Sequence, residues 1–110
     1  MFRTGTVRLP YDDPMTGMAG TWDLSGGSGP RSYTSPDIPF VPPWGGAGSP
    51  FANPPNVVLS VAGIEVTGGL TRFDLRPVNV QAEECNIIVN AYLDCTISWL
   101  WVTWFAYDTV

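Results

Sequence analysis

Apolar positions crowd the second half of the chain in short runs bounded by turn residues, the pattern of strands whose successive side chains face opposite ways. Val57, Val58, Leu59, Val61, Ile64 and Val66 mark a strand over 56–66. Gly63 predicts a bend or bulge in it, because glycine inside a strand marks such a site. Thr67-Gly68-Gly69 reads as a turn. A strand over 70–80 follows, with Leu70, Arg72, Asp74 and Arg76 on one face and Thr71, Phe73 and Leu75 on the other. Ala82-Glu83-Glu84 predicts a turn, 85–92 a strand, Leu93-Asp94 a turn, and 96–107 the last strand.

That last segment is apolar on both faces, with Ile97, Trp99, Trp101 and Phe105 on one and Leu100, Val102 and Trp104 on the other. Such a strand is covered on both sides. In a chain of 110 residues one face belongs to the core, and the other predicts contact with sister copies. The first half is sparser. Phe2, Val7 and Leu9 alternate with Arg3, Thr4, Thr6 and Arg8 as in an edge strand ended by Pro10. Residues 11–36 read as a loop containing one short strand at 21–24, and 37–41 as another strand. Pro and Gly dominate 42–55, a long loop inside one domain over 1–110. Its Trp44 suits either packing against its own loop or a neighbouring chain, or stacking on a ligand. No stretch has helical periodicity and none repeats, so the fold class is all-β.

Composition narrows the chemistry. The chain has 5 Lys+Arg, all arginine, against 10 Asp+Glu, a net charge of −5, and no His. This excludes a phosphate-tracking nucleic-acid binder and every His-dependent triad or zinc site. Charged residues make up only 14%, which leaves apolar surface for another subunit. No charged start with an apolar run follows Met1-Phe2-Arg3, so no secretory signal is expected. The longest apolar stretch, 97–106, falls well short of the ~20 residues of a membrane helix, and no membrane insertion is expected. Cys85 and Cys95 are too far apart to pair on one strand or across the expected turn, and two reduced thiols are expected.

Several segments then line up in order. Arg3-Thr4-Gly5-Thr6-Val7 opens the chain, and Asp37-Ile38-Pro39-Phe40 precedes the Pro-containing loop. Pro54-Pro55-Asn56-Val57-Val58-Leu59-Ser60, Ile64-Glu65-Val66 and the arginine strand 72–76 follow. Tyr92-Leu93-Asp94-Cys95-Thr96-Ile97 and Val102-Thr103-Trp104-Phe105-Ala106 close the series. In this order the chain resembles the H-type lectin domain family, that of the snail agglutinins and the discoidin C-terminal domain. The resemblance implies a six-stranded antiparallel β-sandwich that trimerises and binds N-acetylgalactosamine or galactose at the edge between protomers. By resemblance, Arg72 takes the place of the family's sugar-contacting strand arginine, and Tyr92 that of its turn aromatic. Leu93 stands where the family often has a polar contact and Ser98 where it has Tyr. The stretch around Gly26 to Gly29 offers no acid in place of the family's contact loop.

The candidate sugar ligands are therefore Arg72, Asp74, Tyr92 and Asp94, and the candidate trimer contacts are Arg76, Trp99 and Trp101. Arg72 has a fork of donors for sugar hydroxyls, with Asp74 expected to hold it in place. The same Arg72-Asp74-Arg76 ladder equally suits a trimer seam without ligand. Tyr92 and Asp94 lie on a turn, where binding residues concentrate, although Asp is also a common turn former. Trp99 and Trp101 suit a stacking platform, or packing in the core or an interface. Glu83-Glu84 reads as a solvated turn rather than an acid–base pair, and Asp12-Asp13 lacks the further oxygens of a Ca²⁺ site. No metal or cofactor motif is present, and no enzyme is expected. The expectation is a non-enzymatic trimeric sugar-binding module at the surface, spike or tail fibre of a virion, a phage in particular. Such a chain is made in the host cytoplasm, works beside other virion proteins and attaches to cell-surface glycans. The alternatives are a purely structural cement or capping trimer and a cytoplasmic defence lectin.

Overall fold

The structure, a computed structural model, describes residues 2–11, 22–26, 29–41, 51–67 and 72–109. The readings made for Asp12-Asp13, Trp44, Gly68-Gly69, Leu70 and Thr71 lie outside the described residues. The strands are β1 (Phe2–Leu9), β2 (Arg31–Thr34), β3 (Ile38–Pro39), β4 (Asn56–Thr67), β5 (Phe73–Val78), β6 (Glu84–Ala91) and β7 (Thr96–Tyr107). All pairings are antiparallel. One sheet has the order β1-β7-β4. In the other, β2 and β3 pair with β6, which also pairs with β5.

The β2 and β3 strands lie along the same side of β6, with Thr34 opposite Ile88 and Ile38 opposite Cys85. Ser35 bridges the gap between them. Its N–H donates to the Ile87 carbonyl, and its hydroxyl accepts the Ile87 N–H, both at 2.8 Å. Counted as one interrupted edge, β2 and β3 give the expected six-stranded antiparallel β-sandwich. Pro77 has no N–H to give a second neighbour, which suits the outer place of β5.

The core lies between the sheets. Leu100, Val102, Trp104 and Ala106 of β7 meet Cys85, Ile87, Val89 and Ala91 of β6, with Leu9, Leu24, Tyr33, Ile38, Phe40 and Phe51 around them. Strict alternation along β6 turns Asn86, Ile88 and Asn90 to the outer face. Gly5 lies opposite Trp104, and a Cβ there would come 2.7 Å from the indole Cζ2. Glycine is what lets the ring pack against β1.

Three expectations change. Ile97 is fully buried with Leu100 and Val102 rather than sharing the face of Trp99 and Trp101. The register shift that leaves Ser98 unpaired between Val66↔Ile97 and Glu65↔Trp99 reverses the faces at that point. The expected loop 11–36 contains β2, because Tyr33 is a buried anchor at 2% exposure, T-stacked on Trp22 at 4.8 Å. The expected strand at 21–24 is absent among its described residues. There Leu24 is fully buried, its carbonyl accepts the Ile97 N–H at 2.6 Å, and Trp22 Nε1 donates to the Ile97 carbonyl at 2.9 Å. The bulge expected at Gly63 is present as a register shift between Val61 and Gly63. Cys85 and Cys95 are free and buried.

Candidate functional site

The polar chemistry gathers at one end of the four-stranded sheet. Register brings three strands together there, with Ser32, Asn90 and Asp74 forming one cross-strand row and Arg31, Ala91 and Phe73 the next. Because i and i+2 share a face, Asp74 and Arg76 stand on the outer surface with Asn90 and Ile88 opposite them. Tyr92 follows β6, and its N–H donates to the Arg72 carbonyl at 3.0 Å.

Asp74 organises this surface. Its Oδ1 accepts from Asn90 Nδ2 at 2.9 Å and its Oδ2 from the Tyr92 hydroxyl at 2.8 Å. Arg76 Nε lies 3.9 Å from Oδ1. The Asn90 and Tyr92 hydrogen bonds, with the Arg76 charge behind them, hold the Asp74 carboxyl below its ordinary range. The same bond to Asp74 pushes the Tyr92 phenol up. Asp74 is engaged by Asn90, Tyr92 and Arg76, while Arg72, one residue before β5, meets Tyr92 through its backbone carbonyl.

The turn after Tyr92 is closed by the Cys95 N–H donating to the Tyr92 carbonyl at 3.2 Å, with Leu93 at φ 54°. Arg31 grips this turn. Its Nη1 donates to the carbonyls of Gly29 at 2.9 Å and Leu93 at 2.8 Å, and its Nη2 donates to the Cys95 carbonyl. Gly29, at φ 82°, also gives its N–H to the Leu93 carbonyl at 3.1 Å. Between the two segments lies an open depression of about 180 Å³, lined by Pro30, Arg31, Ser32, Asn90 and Tyr92. A half-exposed ring face, a hydroxyl, an amide and an open rim can hold a polyhydroxylated ligand by stacking and hydrogen bonds.

Of the residues expected from sequence, Asp74 and Tyr92 are brought into direct contact, and Arg72 adjoins them through its backbone. Asp94 is exposed on the same turn. Arg76 also belongs to this cluster, on the opposite side of the sandwich from Trp99 and Trp101. Trp101, at 40% exposure, lies on the outer surface of the three-stranded sheet, and Trp99 Nε1 donates to Glu65 Oε2 at 2.6 Å. Glu84 opens β6 opposite Pro39, with Glu83 just before it. Arg31, Ser32 and Asn90 were missed. The inward run Cys85, Ile87, Val89, Ala91 already placed Asn90 on the outer face, but nothing in Arg31-Ser32-Tyr33-Thr34 separates four strand residues from a loop. Among the described residues, no three His, Cys, Asp or Glu side chains gather as a metal site. No helix there is long and apolar enough to cross a membrane, which leaves spanning strands unaddressed.

No curated protein matches the sequence. Two solved structures of discoidin II from Dictyostelium discoideum share the fold. The native recombinant form aligns with 98% of this chain at TM-score 0.74, and the wild-type form with 100% at TM-score 0.75, both at 15% identity. The chain spans 36% and 37% of the chains in those two structures, little more than a third. The H-type lectin domain matches residues 48–107, from the segment before β4 to the end of β7 and so across the Asp74–Tyr92 pair, and the chain belongs to the H-type lectin family.

Proposed function

We propose that the chain is a non-enzymatic carbohydrate-binding module whose ligand sits at the Arg72–Asp74–Asn90–Tyr92 end of the four-stranded sheet. The observation that carries this reading is the Tyr92 ring, 38% exposed and fixed by its hydroxyl bond to Asp74 beside the open depression. A ring held in place presents its face to sugar C–H groups, while Arg72 and Asp94 supply a donor and an acceptor on the rim. The sugar class is N-acetylgalactosamine or galactose, by membership of the H-type lectin family.

The working form is a homotrimer. A ring about a threefold axis joins two different patches of successive copies. This chain offers an apolar one around Trp99 and Trp101, with Phe2 57% and Val58 50% exposed on the same sheet, and a polar one around Arg76. The setting we propose is the surface of a virion, as a spike or tail-fibre component that reaches cell-surface glycans. A low charge content and a broad apolar sheet face suit permanent assembly with other virion proteins.

The test is a calorimetric titration of N-acetylgalactosamine and galactose into the wild type and into Arg72→Ala and Tyr92→Ala, with light scattering for mass. Wild-type binding lost in both variants, by particles of three times the chain mass, supports the reading. A wild type that binds neither sugar at millimolar concentration favours a structural cement or capping trimer instead. A stable monomer at micromolar concentration removes the ring.

A further inference from the structure

Two arginines flank Tyr92, and their guanidinium groups are committed differently. Arg31 begins β2 opposite Ala91. It donates to three main-chain carbonyls, those of Gly29, Leu93 and Cys95. These acceptors come from two segments far apart in sequence, and a planar fork of five N–H groups is suited to span them. The Arg31 Nε is buried among them without a partner. Arg72 is exposed, and what ties it to the site is its own backbone carbonyl.

The turn that Arg31 grips needs an outside hold. Leu93 sits at φ 54°, where a non-glycine residue is disfavoured. The turn's own closure is the Cys95-to-Tyr92 bond at 3.2 Å. A backbone in such a region persists where its surroundings over-determine it. Here Tyr92 is tied to Arg72 and Asp74 ahead of the turn, and the Arg31 donors and the Gly29 N–H hold the turn itself, two of them converging on the Leu93 carbonyl.

We infer that Arg31 is the positioning residue of this site. It fixes the 92–95 turn, and with it Tyr92 and Asp94, against the 29–32 segment. The depression between the two segments is thereby formed before a ligand arrives, which spares binding the ordering of the turn. The N–H groups Arg31 gives to the backbone are unavailable to a ligand, which marks it as a positioning group. The effect on affinity rests on the sugar-binding reading. The effect on the turn does not.

Arg31→Lys keeps a charge on a long stem but offers one ammonium, which cannot replace a fork across three carbonyls. Amide hydrogen exchange over residues 93–96 should speed up about tenfold in Arg31→Lys, and N-acetylgalactosamine should bind about tenfold more weakly. Arg72→Lys should leave exchange at those amides unchanged. Guanidinium chloride at low millimolar concentration should restore both properties to Arg31→Ala, a rescue that a loss of general stability would not show. Wild-type exchange at 93–96 in Arg31→Lys overturns the inference. So does a loosened turn that still binds the sugar with unaltered affinity, an outcome that leaves the sugar-binding reading standing. If the wild type binds no sugar, that reading falls while the exchange rates still decide the role of Arg31 in the turn.

Discussion

The Tyr92 hydroxyl donates a hydrogen bond to Asp74 Oδ2 at 2.8 Å, and this bond links the end of β6 to the outer face of β5. With its O–H engaged there, the hydroxyl faces a ligand as an acceptor, and the ring cannot swing away from the sheet. Tyr92→Phe keeps the ring but frees it. Sugar affinity should fall by about three- to tenfold, the worth of one net hydrogen bond. Because the bond is exposed, the melting temperature should hardly move. Calorimetric titration and a thermal melt of the same sample check both.

Acid should act through the same pair. Asp74 has its carboxyl lowered from the ordinary 3.8 by Asn90, Tyr92 and Arg76. A carboxylate with a depressed folded-state pKa contributes stability above its unfolded value and loses it as pH falls through the folded one. Binding should therefore show no Asp74 limb from neutrality down to the ordinary carboxylate range, and should decline only below it. Asp74→Asn should lack that limb when affinity is followed against pH. The same acid limb in Asp74→Asn would assign it to another group.

Leu93 holds a left-handed backbone while its side chain is 48% exposed, so it gains little from burial and bears the conformational cost. Asparagine tolerates that conformation better. Leu93→Asn should raise unfolding stability by about 1 kcal/mol, read as a higher urea midpoint with an unchanged slope. A lower midpoint would show that the leucine side chain makes a stabilising contact.

Gly5 is held to its identity by the Trp104 ring, with indole atoms 2.7 to 2.8 Å from where a Cβ would stand. Gly5→Ala should destabilise by about 1–3 kcal/mol through overpacking, and urea unfolding measures it. A neutral substitution would mean that β1 moves off β7 freely.

Cys85 and Cys95 are 1% and 0% exposed, and burial followed by the Glu84 charge pushes the Cys85 thiol from 9.0 up to about 12. Neither should react with a thiol reagent near neutral pH until the protein unfolds. The stability linked to Cys85 is fully present below about 9.0 and is lost as pH climbs towards about 12. Cys85→Ala should flatten that alkaline slope in a series of thermal melts.

The strands of the second half were legible because Cys85 to Ala91 repeats with a clean period of two, which one buried face imposes, and because Val57 to Val66 is dense in β-branched residues around its one glycine. Ile97 was placed on the wrong face because a one-residue shift near Ser98 reverses alternation and leaves no mark in residue type. β2 was hidden because four residues with one buried anchor, Tyr33, carry too little pattern to separate strand from loop. In the site, Asp74 and Tyr92 came from a strand face and a turn. Arg31 did not, because its role lies in reaching carbonyls sixty-odd residues away, at Leu93 and Cys95. No local signal encodes such a contact.

The central claim is that sugar binds at the end of the four-stranded sheet where Tyr92 is tied to Asp74. The most direct measurement is an amide chemical-shift map of isotope-labelled protein titrated with N-acetylgalactosamine to millimolar concentration. The account predicts saturable shifts concentrated at Arg72, Asp74, Asn90, Tyr92 and Asp94, abolished in Tyr92→Ala. Shifts centred on Trp99 and Trp101 instead, or none at any residue, would contradict it.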